Sequence, residues 1–257
     1  MRTTRAFIRI LLIGLWTAVL MSIFAVGNLF LRRNPRRHTA WRGRSVSRWA
    51  RGVARLVGMR IQVKGTPPSP PFVLVANHLS YFDVILLQTQ LPATFVSKAE
   101  VKTWPVIGYM TRTVGTLFID RTNRRDIFRI NALIEEALAN GDGIVFFPEG
   151  TSSKGDKVYP FNASLLSLAA RQRHAVTSAA IHYQTPSGET PAHLAVCWWG
   201  DMTFADHLFN VLKLPYFEAT LVFGNQSIKE TDRKALARKL KQQVQSYFSP
   251  VVTPEPS

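Results

Sequence analysis

An unbroken apolar run from Ile10 to Val26 (ILLIGLWTAVLMSIFAV) carries no charge. Extended through Gly27-Asn28-Leu29-Phe30-Leu31, it reaches 22 residues. A helix of that length is roughly 33 Å long, close to the hydrocarbon thickness of a bilayer. The run is long for a cleaved signal peptide and is followed directly by arginines, and it is too continuously apolar for a mitochondrial presequence. Residues 10–31 are therefore expected to anchor the chain in a membrane, spanning or half-inserted. A buried core helix is the competing reading.

The charge distribution points the same way. Residues 1–60 hold thirteen of the 32 basic residues, all arginine, and none of the 16 acidic ones. Without those thirteen the net charge of +16 falls to +3. A nucleic-acid-binding domain would carry its excess in the folded part. Here the excess lies beside the most apolar stretch, which favours a membrane with anionic lipid as partner and no nucleic acid. Arg32, Arg33, Arg36, Arg37, Arg42, Arg44 and Arg48 follow the apolar run, against Arg2, Arg5 and Arg9 before it. If the run spans, this bias puts the remainder on the cytoplasmic face of the cytoplasmic (inner) membrane.

Residues 44–57 read as a second membrane element. At about 100° per residue, Arg44, Arg48, Arg51 and Arg55 share one narrow sector of a helix. Val46, Trp49, Val53, Leu56 and Val57 cluster opposite them. This is the pattern of an interfacial helix, although a plain surface helix with a solvated side shares it. The expected organisation is a membrane-anchoring pair of helices in residues 1–60, a catalytic domain in 61–249 and a flexible tail in 250–257.

Pro67-Pro68-Ser69-Pro70-Pro71 cannot be helix. Beyond it, short β-rich runs alternate with helical stretches, which implies an α/β fold with a mixed sheet flanked by helices. Strands are expected at Phe72–Ala76, Thr94–Ser97, Thr116–Asp120, Ile144–Phe147, Val176–Tyr183, Ala192–Trp199 and Phe217–Phe223. Helices are expected at Val84–Leu91, Arg125–Ala139, Ala163–Arg173 and, behind Thr231 as cap, Asp232–Phe248. The lone cysteine, Cys197, excludes an intrachain disulfide. Its apolar surroundings make it a buried thiol rather than a nucleophile.

Three expected strands deliver polar residues at their ends. Phe72–Ala76 runs into Asn77-His78-Leu79-Ser80-Tyr81-Phe82-Asp83. On one continuous helix His78 and Asp83 would lie about 140° apart. In a strand–loop–helix corner the aspartate can instead fold back to the imidazole, leaving the other ring nitrogen free as a base. A loop histidine beside a capping aspartate is the alternative. Leu117-Phe118-Ile119 ends in Asp120-Arg121, whose guanidinium could clamp a phosphate. The third strand ends in Pro148-Glu149-Gly150-Thr151-Ser152, which offers close backbone approach and hydroxyl donors.

These blocks resemble the lysophosphatidic-acid-type (1-acylglycerol-3-phosphate) glycerolipid acyltransferases in their bacterial form. Asn77-His78 to Asp83 matches that family's H-x4-D signature. Phe118–Arg121 matches its second block and Phe147–Ser152 its third, while Phe95–Glu100, with Lys98, resembles a lysine segment between the first two. The resemblance covers residues 55–225. It implies acyl transfer from acyl-CoA or acyl carrier protein to a lysophospholipid, with no covalent acyl-enzyme, no cofactor and no metal. By the same resemblance His78 is the base and Asp83 its orienting partner. Asn77, Lys98, Arg121, Glu149, Gly150, Thr151 and Ser152 hold substrate. One block departs from the pattern: Val176–Ile181 has serine, Ser178, at the position where the family carries proline, which bears on acceptor choice. The expected product is phosphatidic acid. Acylation of another lysolipid such as lyso-ornithine lipid, or non-catalytic lipid binding, are the alternatives.

Overall fold

The computed structural model describes residues 2–31, 33–104, 108, 111–112, 115–120 and 123–252. Two long helices open the chain, α1 (Arg2–Leu31) and α2 (Pro35–Val57). Then follow β1 (Met59–Lys64), β2 (Phe72–Ala76), α3 (Phe82–Gln90), β3 (Ala93–Lys98), β4 (Leu117–Ile119), α4 (Arg124–Ala139) and β5 (Gly143–Phe146). The remainder is α5 (Ser167–Arg171), β6 (Val176–Gln184), α6 (Ala192–Ala195), α7 (Phe204–Lys213), β7 (Phe217–Phe223) and α8 (Arg233–Tyr247).

The strands form a seven-stranded sheet in the order β1-β7-β6-β2-β5-β3-β4. β2, β3, β4, β5 and β6 run parallel, and β7, with β1 parallel to it, runs the other way through its antiparallel pairing with β6. β2 and β5 are buried at every position, which is why they read as unbroken apolar runs. One face of the sheet packs on α1, α2, α3 and α7, and the other on α4, α5 and α8. The five parallel strands β2, β3, β4, β5 and β6 point their C-terminal ends to one edge. The polar blocks sit on that edge, as a doubly covered α/β sheet requires.

Several expectations are corrected. Ala192–Trp199 is not a strand. Pro191 starts one helical turn, and Trp198 N–H then donates to Leu79 O at 2.8 Å. The segment is apolar because it is buried over the sheet end, not because it is paired. Ala163–Arg173 divides into a 3-10 turn, Ala163–Leu166, and the short α5. The cap of α8 is Asp232, whose side chain accepts from Ala235 N, rather than Thr231. The tail is held as far as Val251, whose N–H donates to Gly155 O at 2.8 Å.

The largest correction concerns α2. Asn34 caps it, accepting from Arg37 N at 3.1 Å, Pro35 opens it, and Gly58 closes it in a left-handed conformation. Its arginine ridge is exposed as expected. Its apolar side, however, is buried: Val53, Ala54 and Val57 share one core with the sheet and α3. Arg42 pairs with Asp142, to which Thr94 Oγ1 also donates at 2.6 Å, tying α2 to β3 and β5. Residues 1–60 thus pack into the domain rather than forming a detachable anchor.

α1 lies along α2. The Trp16 indole donates to Trp49 O at 3.1 Å, Trp49 donates to Thr17 Oγ1 at 3.0 Å, and His38 Nε2 meets Asn28 Oδ1 at 2.9 Å. Near its start, Arg5 donates to Lys213 O at 2.9 Å, and Arg9 to Leu212 O, Leu214 O and Pro215 O at 2.7–3.1 Å. Those carbonyls end α7, where cations are favoured. The opposite side of α1 is apolar and open, with Leu11 at 72% and Phe30 at 78% exposure. Gly27 and Gly52 admit the indoles of Trp41 and Trp16, where any Cβ would collide. Gly52→Leu is therefore expected to lower stability by about 1–3 kcal/mol through overpacking. Gly14→Leu, on the open side with nothing within 4 Å, should not lower it, since leucine is the better helix former. Thermal unfolding in detergent checks this, and equal midpoints would contradict the packing described.

Candidate functional site

β2 ends where Asn77 takes over its ladder. Asn77 Nδ2 donates to Ile181 O at 3.0 Å and Oδ1 accepts from Ile181 N at 2.7 Å. The side chain thus imitates one more backbone pair with β6 while the main chain turns away. Asn77 is buried and committed to β6, so it shapes the corner rather than reaching a substrate, contrary to its expected role.

The turn that follows places Asp83 in the first turn of α3. Asp83 Oδ2 accepts from Leu79 N at 2.7 Å, from Ser80 N at 3.0 Å and from His78 Nδ1 at 2.7 Å. Its Oδ1 accepts from the Tyr183 hydroxyl at 2.8 Å. A carboxylate only accepts, so Nδ1 donates, and in the neutral ring the lone pair lies on Nε2. Among the described residues nothing bonds Nε2. The ring also stacks on Phe147, with centroids 4.1 Å apart and planes 9° from parallel. The imidazole is therefore fixed by an anion at one edge and an aromatic face at its side, with 21% of its side chain open to solvent.

The loop after β5 holds the backbone of His78. Glu149 Oε1 accepts from His78 N at 3.2 Å, and Ser153 N donates to His78 O at 3.0 Å. Gly150, at φ 84°, makes this turn possible. Leu79 O is taken by Trp198, and Tyr81 donates to His207 Nδ1 at 2.9 Å while His207 Nε2 donates to Cys197 O at 3.0 Å. Cys197 is fully buried, and burial pushes its thiol up, so it is no nucleophile.

Lys98 ends β3 exposed, Thr151 is exposed and Ser152 half-buried, all on the same edge of the sheet. Arg121 lies outside the described residues. Among the described residues no group of three His, Cys, Asp or Glu side chains converges as a metal ion would require. Ser178, the departure in the fourth block, faces away from the site: its hydroxyl donates to Gln243 Oε1 at 2.9 Å under α8. Tyr183, Ser153 and His207 are not marked by the sequence as parts of the site. Ser153 borders a motif and is reached by extending it, whereas Tyr183 and His207 are distant in sequence and carry no local signal.

Glu149 is the site's unusual carboxyl. Its Oε2 is buried with no hydrogen-bond partner among the described residues. Burial, with a smaller contribution from Asp83, outweighs the donors His78 N and Tyr159 N and pushes its pKa up to about 8. A raised folded value stabilises the fold fully below the ordinary carboxyl range, and the contribution is lost as pH rises towards 8. Glu149→Gln, which cannot ionise, should therefore gain in thermal midpoint relative to the parent between pH 5 and pH 8.5. Parallel melting curves for the two proteins over that range would show that Glu149 ionises normally.

Residues 60–182 match the sequence model of the family described as Acyltransferase. A lyso-ornithine lipid O-acyltransferase of Brucella abortus is 33% identical, over 92% of this chain and 92% of its own. One of Rhodobacter capsulatus is 36% identical, over 74% of this chain and 71% of its own. A 1-acyl-sn-glycerol-3-phosphate acyltransferase of Neisseria meningitidis is 32% identical, over 80% of this chain and 81% of its own. The crystal structure of the 1-acyl-sn-glycerophosphate acyltransferase PlsC of Thermotoga maritima has the same fold, with a TM-score of 0.66 at 20% identity, covering 96% of this chain and 98% of that one.

Proposed function

The chain belongs to the acyltransferase family, and from that premise we propose that it moves a fatty acyl group from acyl-CoA or acyl carrier protein to the free hydroxyl of a lysolipid. The observation that carries the mechanism is the 2.7 Å contact between His78 Nδ1 and Asp83, with Nε2 left open. His78 Nε2 takes the proton of the acceptor hydroxyl as its oxygen attacks the thioester carbonyl. The C–O bond forms, the C–S bond breaks, and the imidazolium returns the proton to the departing thiolate. Asp83 keeps the ring oriented and stabilises its charge while it lasts. No residue is acylated.

1-Acylglycerol 3-phosphate, yielding phosphatidic acid, is the leading acceptor. Lys98, at the end of β3, and Arg121, which follows β4 in sequence, supply cations for its phosphate, and Gly150, Thr151 and Ser152 supply backbone donors and hydroxyls. Lyso-ornithine lipid is the second reading, favoured by the relatives named for it. Acyl transfer from labelled acyl-CoA and acyl carrier protein to both lysolipids distinguishes the two. In the same assay His78→Ala should lower turnover by about 10²–10⁴-fold, the usual contribution of a positioned base, with the fold retained. Near-normal turnover in folded His78→Ala would remove this mechanism.

The membrane is reached through α1. By length and composition alone α1 could cross a bilayer. It is fastened to α7 at Arg5 and Arg9 and to α2 along its length. A spanning α1 would therefore draw the α2 ridge into hydrocarbon, at roughly 2.5–3.5 kcal/mol or more per arginine. We place α1 half-inserted, with its open apolar side in one leaflet and Arg44, Arg48, Arg51 and Arg55 among anionic head groups. The thioester donors put that leaflet on the cytoplasmic face of the inner membrane. In flotation assays, Leu11→Glu with Leu15→Glu should weaken binding to neutral and anionic liposomes alike. Replacing the four arginines with glutamine should weaken anionic binding alone, at low salt, by about 1 kcal/mol per residue. Salt-independent, equal binding of the arginine variant to both liposomes would leave the ridge as a solvated surface.

A further inference from the structure

Asp83 is fully buried, and no lysine or arginine forms an ion pair with it among the described residues. It therefore depends on hydrogen bonds for solvation. Oδ2 is shared by three donors, all from residues 78–80 of its own corner. Oδ1 has one, the Tyr183 hydroxyl, reaching across from β6 at 2.8 Å. We propose that Tyr183 is a positioning residue for acyl transfer, which locks the rotation of the Asp83 carboxylate and keeps its charge available to His78. The proposal rests on the reading of His78 as base and Asp83 as its partner.

The geometry leaves the phenol little else to do. Tyr183 is 1% exposed. Its ring stands edge-on to Phe217, 5.9 Å between centroids at 70°. Burial, with Asp83 adding to it, raises the phenol well above its ordinary range, so it stays a donor. Two residues back on the same strand, the Ile181 backbone clasps Asn77 on the other side of His78. β6 thus fixes both ends of the corner: Asn77, just before the base, through its main chain, and Asp83, beyond it, through Tyr183. Without the hydroxyl, Oδ1 would be left without its donor. The carboxylate could then rotate about its Cβ–Cγ bond, and the three donors on Oδ2 would no longer hold one orientation. His78 would lose its fixed tautomer in a fraction of molecules, a defect of turnover and not of substrate binding.

Tyr183→Phe removes the oxygen and keeps the ring. In detergent-solubilised full-length protein, kcat should fall about tenfold or more, as expected for a lost hydrogen bond to a charged group. KM for acceptor and for donor should stay within about twofold. In the Asp83→Asn background the same substitution should cost little further, because its target is already neutral. Phe217→Leu, which disturbs the same packing without touching Asp83, should lower the thermal midpoint and leave kcat per folded molecule near that of the parent. A Tyr183→Phe protein with unchanged kcat, or with an equal loss in both backgrounds, overturns the proposal. So does a Phe217→Leu protein that loses kcat to the same extent, because packing alone would then explain the effect. If His78→Ala in the same assay keeps its turnover, the mechanism itself fails, which is a separate result.

Discussion

Water does not reach Asp83, so the protein must solvate that carboxylate itself, and much of the fold around the corner is arranged to do so. An isolated ionised carboxylate in an apolar interior costs many kcal/mol. The cost is offset here by two backbone amides, an imidazole and a phenol. The backbone donors exist because β2 stops at Ala76 and the chain turns sharply before α3 begins at Phe82. That turn in turn is held open by partners outside it. His78 N and O are taken by Glu149 and Ser153 after β5, Leu79 O by Trp198, and Asn77 by Ile181. The two strands flanking β2 each lend a hand, and the corner cannot relax without breaking bonds to both.

The same economy governs α2. One side closes the core with Val53, Ala54 and Val57, a second takes the Trp16 and Trp49 contacts with α1, and the third exposes arginine. A helix so used cannot separate from the sheet without opening the core. The arginines Arg5 and Arg9 make the restriction firmer, because their bonds to the end of α7 fix the start of α1 level with the end of the sheet that carries His78. The open apolar side of α1 and the His78 corner are thereby joined through hydrogen bonds within one fold.

What the sequence disclosed was local. β2, β5 and β7 were legible because burial on one or both faces leaves an apolar run or an alternation. The His78–Asp83 contact was legible because five residues and a strand end bring the two together. β1 leaves little trace in the sequence: Arg60, Gln62 and Lys64 alternate with Met59, Ile61 and Val63, of which only Met59 is buried, as an edge strand allows. Ala192–Trp199 has the composition of a strand because burial without pairing leaves the same apolar run. The pattern of α2 shows a helix with an apolar side, but nothing in a single sequence says whether lipid or α3 and the sheet will claim that side. Tyr183 was invisible for a similar reason. A tyrosine near the end of a strand is ordinary, and its partner lies a hundred positions away.

Ser178 shows how a departure from a family's pattern can be placed once the fold is known. The alternation of β6 puts Ala179, Ile181 and Tyr183 on the face that carries Asp83, and Val176, Ser178 and Ala180 on the face under α8. The serine hydroxyl is satisfied by Gln243, and its carbonyl accepts from Gly224 N at 2.8 Å. A proline there could make no such side-chain bond to α8. The exchange therefore alters how β6 is fastened to the helix behind it. Ser178 touches the His78 corner only through the strand, which also carries Ile181 and Tyr183. A direct contact with the head group would have to come from the sheet edge where Lys98, Thr151 and Ser152 stand, on side chains that the core does not constrain.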